Sequence, residues 1–269
     1  MKKLATALVS AAAIMTMSTT AFAAENPAEV FDRVMEKNNT IQSAEIQSGV
    51  HSVILAKDVI PDGQMKVDMA MHAEMDMQDT TDLKYLAQVA SSILGQDSYS
   101  QVFYTDGYYY VDTNGVKLKY PMPLEQIISS VQTGVNTSNM ESSYMKGISL
   151  NEVNGKRVLA YEANPKKLNK NVKEALGTVM NTLGTDVNLD MNIQEMKGAY
   201  VLDDNDYIIY MTNYIVYNME VLDRPMTCIT LMETEVQNPG EPVVVTLPST
   251  DGYEDLIGLY DGVIESEVE

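Results

Sequence analysis

Residues 65–78 read Met65-Lys66-Val67-Asp68-Met69-Ala70-Met71-His72-Ala73-Glu74-Met75-Asp76-Met77-Gln78. All seven odd positions are apolar. The even positions carry Lys66, Asp68, His72, Glu74, Asp76 and Gln78, with Ala70 as the exception. Successive side chains of a strand point to opposite faces, so a period of two describes a long, half-buried strand. A helix would scatter the same residues around its circumference. The pattern predicts that the odd face is buried from Met65 to Met77 and that the even face meets water.

Upstream, Ile60-Pro61-Asp62-Gly63 is a turn signal. The strand before it runs from Ser43, with Ile46, Val50, Ile54 and Ala56 on one face and Glu45, Gln47, His51 and Lys57 on the other. If the two strands form a hairpin, apolar even residues must meet apolar odd ones. A two-residue loop at Pro61-Asp62 would set Ile54 against Met69, Val50 against Ala73 and His51 against His72, and a bulge at Gly63 would move this register. Asn26-Pro27-Ala28-Glu29 is a helix start, and Val30, Phe31, Val34 and Met35 recur at helical spacing. The spacing predicts about three turns, ending near Asn38-Asn39.

Downstream, Leu83, Leu86, Ala87, Ala90, Ile93 and Leu94 form a stripe that predicts a helix over Thr81–Leu94. Short strands follow at Tyr99–Thr105, Tyr108–Asp112 and Val116–Tyr120, separated by Asp106-Gly107 and Asn114-Gly115. A second helix is predicted at Pro123–Val131 and a loop at Thr133–Glu141. Tyr144–Val153 and Lys156–Glu162 make a hairpin about Asn154-Gly155. Pro165–Leu183 reads as a helix bearing Lys166, Lys167, Lys170 and Lys173. Three long strands follow, near Leu189–Leu202, Tyr207–Leu222 and Met226–Val236, and Val243–Leu247 is expected to close the sheet. The order predicts a single α+β domain: a long curled antiparallel sheet, with helices covering its apolar side.

The ends are distinct. Lys2 and Lys3, the apolar run Leu4–Met17 and Ala21-Phe22-Ala23 have the three parts of a secretory signal peptide. The expected organisation is a signal peptide at 1–23, a β-rich domain at 24–248 and an acidic tail at 249–269 with seven acids and no base. The tail is read as peripheral, with one short helix at most around Glu254–Tyr260. Cleavage after Ala23 would leave a secreted chain without a lipid anchor, since no cysteine lies near the site. No other apolar run approaches the ~20 residues of a transmembrane helix. Losing Lys2 and Lys3 takes the formal charge from −20 to −22. Such a surface repels phosphate backbones, so nucleic acid is not an expected partner.

Catalytic patterns are missing: the chain has two histidines, no G-x-S-x-G elbow, no H-E-x-x-H, no P-loop and no G-x-G-x-x-G. No enzyme activity, cofactor or metal is expected. The two histidines read as solvated residues of an outer face, and Asp203-Asp204-Asn205-Asp206 as a polar turn, because it lacks the ligand spacing of a calcium loop. Cys228, the single cysteine, sits in an alternating strand and reads as a small buried hydrophobe. The unusual feature is methionine: 19 in the chain and no tryptophan. A flexible, polarizable thioether face adapts to ligands of irregular shape, although an ordinary core face has the same pattern. Tyrosines cluster at Tyr104, Tyr108, Tyr109 and Tyr110 and at Tyr207, Tyr210, Tyr214 and Tyr217.

The signal peptide, the first helix ending in Glu36-Lys37-Asn38-Asn39, the long meander and the Phe103-Tyr104-Thr105-Asp106-Gly107-Tyr108-Tyr109-Tyr110-Val111-Asp112 hairpin with Lys117 and Lys119 resemble the lipoprotein-carrier superfamily, which includes the LolA and LppX/LprG-like proteins. The order is most similar to exported Gram-positive relatives of unknown function. The resemblance spans about residues 25–248, and the chain departs from the Gram-positive pattern in lacking a lipidated cysteine. It implies a half-open barrel whose concave apolar face, covered by helices, holds a lipid or other hydrophobic ligand. The candidate ligand-binding residues are then Met65, Met69, Met71, Met75 and Met77, with Ile54 of the preceding strand. Two readings stay open: a carrier of apolar ligands, and a non-catalytic structural or interaction domain whose interior is filled.

Overall fold

The computed structural model describes residues 25–56, 60, 62–79, 83–124, 126, 140–170, 191–221 and 224–255. Helix α1 (Pro27–Asn38) leads into β1 (Ser43–Leu55), β2 (Gln64–Asp76), β3 (Lys84–Ile93), β4 (Gln96–Thr105), β5 (Tyr108–Thr113) and β6 (Val116–Pro121). After a 3₁₀ turn at Ser142–Tyr144 come β7 (Met145–Val153), β8 (Lys156–Ala163), β9 (Met191–Leu202), β10 (Ile208–Val221), β11 (Arg224–Gln237) and β12 (Glu254–Asp255). Among the described residues these strands form one sheet in the order β12, β6, β5, β4, β3, β2, β1, β11, β10, β9, β8, β7. The chain starts mid-sheet, runs out to β6, re-enters at the β7 edge and returns to β1. Neighbours from β3 to β6 and from β7 to β11 are antiparallel, and β12 joins β6 in parallel. Residues 165–170 are helical.

The chain divides into two compact units, Met1–Asn38 with Gly49–Asp68 and Ser138–Glu235, and Asn39–Ser48 with Met69–Thr137 and Val236–Glu269. In the first, α1 forms where the sequence predicts it. Asn26 caps the helix, its Oδ1 accepting the Ala28 N–H at 3.1 Å. Val30, Phe31, Val34 and Met35 pack with Leu159, Tyr161, Tyr200 and Leu202 of the sheet. A polar network pins the helix flank. Arg33 Nε lies 2.9 Å from Asp206 Oδ2, Arg157 Nη1 meets Asp206 Oδ1, and both arginines reach Glu25, at 3.0 and 3.2 Å. Burial alone would raise the Asp206 carboxyl, but the hydrogen bond from Arg33 and the charge of Arg157 outweigh it and hold the group below the usual carboxylate range. Asp203 Oδ1 accepts the Asn205 and Tyr207 N–H groups, each at 2.8 Å. Asp203 thus binds its own backbone and Asp206 the arginines, as a structural turn requires.

The second unit corrects the expected helix at Thr81–Leu94. Lys84–Ile93 is a strand, paired residue for residue with β4 from Tyr85 opposite Tyr104 to Ile93 opposite Gln96. The loop is Leu94-Gly95, both at positive φ (53° and 77°). That is the backbone of the Asp106-Gly107, Asn114-Gly115 and Asn154-Gly155 turns as well. Leucine is a poor residue for this conformation, so the turn left no signal, and a ladder of nine pairs outweighs the weak helical preference of the stripe. Leu94 is 70% exposed, so its side chain contributes little packing. Leu94→Asn is therefore expected to stabilise the protein by about 1 kcal/mol, raising Tm by ~2–4 °C in a thermal melt.

Three further expectations need correction. Gly63 O accepts the Ala56 N–H at 3.0 Å, which sets β1 against β2 four residues out of the two-residue register. The Ile60–Gly63 turn does close, at 2.8 Å, but Ile60 N–H bonds back to Ala56 O at 3.0 Å and folds the turn onto the strand end. His51 accordingly meets Asp68, at 2.7 Å, and His72 meets Glu74, at 3.2 Å. Next, Val243–Leu247 is not a strand. Val243, Val245 and Leu247 pack side-on against Leu86, Phe103 and Tyr110, and the edge pairing falls to β12. Lastly, the tail is not wholly peripheral, because Tyr253 joins that cluster and Glu254–Asp255 is a strand rather than part of a helix. The expected signal peptide and almost all of the helix at 123–131 and the loop at 133–141 fall outside the described residues, as does the helix of 165–183 beyond Lys170.

Candidate ligand-binding face

Strand β2 fulfils the alternation, but its burial is graded. Ala73, Met75 and Met77 are buried, with Met75 and Met77 at 1% and 3% exposure. Toward the hairpin the face opens: Met69 is 40% and Met71 36% exposed. Alternation alone predicts burial along the whole face, so Met69 and Met71 are corrections. A period of two reports which side a residue is on, not how deeply that side is covered. Ile54 and Met65, both half-buried, lie in the first unit, and Met69, Met71, Met75 and Met77 in the second.

In the second unit the side shared by these methionines can be traced through the ladders. Glu74, an even residue, accepts the Thr246 N–H on Oε2 at 3.4 Å, so the segment around Val245 lies over the even face. Val245 packs with Leu86, Phe103 and Tyr110, which therefore share that face. Their neighbours point to the other side. Tyr85, Tyr104, Tyr109 and Tyr120 stand directly opposite one another on β3, β4, β5 and β6, making a row of four tyrosines on the side of Met69, Met71 and Met75. Tyr109 and Tyr120 are 5.5 Å apart between ring centres. Burial pushes the Tyr109 hydroxyl well above the usual range, with Tyr85 and Tyr120 adding to the effect. It stays protonated and can donate a hydrogen bond at any physiological pH. The helical stripe of 81–94 hides this row in the sequence, since it puts Tyr85 on a helix; the Gly95 turn beside a Tyr-rich strand is the signal that reveals it.

The other candidates have structural explanations. Cys228 is buried, its Sγ 3.7 Å from Met219 Sδ, and burial pushes the thiol up, away from thiolate chemistry. A cleft of about 350 Å³ on β7–β9, walled by Glu162 and Lys197, contains none of the expected ligand residues. Among the described residues no group of three or more His, Cys, Asp or Glu side chains is placed to hold a metal ion, and no helix is long and apolar enough to cross a membrane.

A family model described as a family of unknown function (DUF6612) matches residues 26–241. The chain belongs to this family. The match takes in α1 and every strand from β1 to β11, whereas the Val243–Leu247 segment and β12 of this DUF6612 protein lie beyond it. No curated protein matches the chain. Among solved structures it is similar to LprF from Mycobacterium bovis (10% identity, TM-score 0.35, covering 83% of this chain and 97% of that one). It is similar also to the ywiB protein from Bacillus subtilis (10%, 0.21, 74% and 96%) and to a β-barrel-like protein of domain of unknown function DUF1849 from Brucella abortus (12%, 0.23, 74% and 100%). Superpositions this loose do not establish a shared fold, and function does not follow from them.

Proposed function

We propose that the chain is an exported binding protein for a lipid or other hydrophobic or amphipathic ligand, which it takes up on the Met69–Met71 part of the β2 face. The observation that carries this reading is the exposure of two neighbouring thioethers on a face that is sealed a few residues further on, at Met75. Exposed apolar patches mark interaction sites, and methionine conforms to irregular apolar shapes. On the same side the tyrosine row offers apolar ring bodies with hydroxyl tips, a combination suited to an amphipathic molecule. The resemblance to lipoprotein carriers supports a half-open barrel with helices over its concave face. The pattern of residues 1–23 supports export without a lipid anchor. The sealed end at Ala73, Met75 and Met77 favours the second reading, a non-catalytic interaction domain with a filled interior.

Protein collected from the culture medium, expected to start at Ala24, and then delipidated distinguishes the two. A fluorescent fatty acid or phospholipid should bind it with a saturable isotherm, and Met69→Trp should change the affinity without lowering Tm. The acidic surface should make anionic headgroups bind no better than neutral ones. A flat titration with every amphiphile, on protein that is folded, removes the carrier reading and leaves the interaction domain.

A further inference from the structure

The segment after the family domain is seated like a ligand. Phe103 and Tyr110 stack at 4.6 Å with their planes 2° apart, and Tyr253 stands edge-on to both, at 5.6 and 5.1 Å. Lys117 Nζ lies 5.3 Å above the Tyr253 ring. Immediately after this anchor, Glu254 and Asp255 add a parallel strand to the β6 edge, opposite Leu118 and Lys119. Residues 242–253 make no strand; the segment is held by the aromatic anchor, the apolar contacts of Val243, Val245 and Leu247, the hydrogen bond from the Thr246 N–H to Glu74 and a two-residue ladder. An extended segment added to a sheet edge, with a side-chain anchor in an adjacent pocket, is a general mode of peptide recognition. The charges suit it: Lys117 and Lys119 line a strand edge in a chain whose formal charge is −20, Asp255 stands opposite Lys119 with Glu254 next to it, and the amines of Lys117 and Lys119 lie over the rings of Tyr253 and Tyr108.

We propose that the β6 edge and the Leu86–Phe103–Tyr110 face form a recognition groove for an extended acidic segment of a partner protein, an aromatic residue followed by two carboxylates, and that residues 243–255 are its occupant in cis. A tethered occupant competes at an effective concentration near ~1 mM, so the groove of the wild-type chain is closed to weak partners until the strap is displaced.

The test uses the full chain and a labelled peptide of residues 249–258. Glu254→Lys with Asp255→Lys changes two exposed side chains and weakens the strap while leaving the groove intact. This variant should bind the peptide about tenfold or more tighter than the wild type, and added salt should weaken the binding. A peptide carrying Tyr253→Ala should lose most of its affinity. A second form, Leu118→Cys with Glu254→Cys in a Cys228→Ser background, places two thiols at directly opposed positions. Oxidation should lock the strap and abolish peptide binding, and reduction should restore it. Equal binding by the locked and reduced forms, equal affinity for the tyrosine-free peptide, or no saturable binding by the folded charge-reversed chain would each overturn the proposal.

Discussion

Met75→Asp is expected to destabilise the protein by about 4 kcal/mol or more, whereas Met71→Asp, two turns of the pleat away on the same face, should cost only about 1 kcal/mol. Met75 is 1% exposed and Met71 36%. An aspartate at position 75 must either bury an unpaired carboxylate or take up a proton, and in both cases the thioether packing is lost as well. The combined cost is about 4 kcal/mol or more, a large part of the 5–15 kcal/mol that holds a typical domain together. At position 71 the carboxylate reaches water, and the cost should be about 1 kcal/mol. Urea denaturation of the two variants beside Asp68→Asn, an exposed change expected within ~1 kcal/mol of neutral, gives the comparison. If Met71→Asp proves as damaging as Met75→Asp, the face is covered along its whole length and the ligand reading loses its carrying observation.

Gly198→Ala should cost about 3 kcal/mol or more, far beyond an ordinary exchange of small residues. Gly198 on β9 lies between Tyr161 of β8 and Asn213 of β10, directly opposite both. The buried Tyr161 hydroxyl donates to Asn213 Oδ1 across the space a side chain would fill. An added Cβ would stand 2.5 Å from Asn213 Oδ1 and from the Thr212 carbonyl oxygen, and 2.8 Å from Tyr161 Oη. The carbonyl belongs to a ladder and cannot retreat, and moving the two side chains apart leaves buried polar groups unpaired. Gly147→Ala is the matched control, since a Cβ there meets nothing within 4 Å, and it should lie within about 0.5 kcal/mol of neutral. Comparable midpoints for the two variants in denaturant would show that the Tyr161–Asn213 bridge tolerates displacement.

Strong local signals were legible in the sequence. The Asn26-Pro27 start with Val30, Phe31, Val34 and Met35 located α1 from its first residue to an end near Asn38, because a capped amphipathic helix carries its whole pattern in one short stretch. Asp106-Gly107, Asn114-Gly115 and Asn154-Gly155 located three hairpins, because few residues other than Gly, Asn and Asp adopt positive φ readily. Leu94 hides a further hairpin of this kind, and the strand before it, with Tyr85, carries a helix-like stripe. A ten-residue stretch that mixes Leu, Ala, Gln and Lys with Tyr, Val, Ile and Ser has no decisive preference of its own, and its partner β4 settles the matter by completing the ladder.

The candidate face divides the same way. The alternation of residues 65–77 by itself determined that the methionines share one side of a long strand, because a side chain's direction along a strand depends on the local backbone alone. Tertiary structure alone decided how deep each one lies, which tyrosines stand beside them, and that a segment beyond the family domain fills the Leu86–Phe103–Tyr110 cluster on the opposite side. Burial and cross-strand neighbours depend on which distant segments are laid alongside, and a period of two contains no record of that.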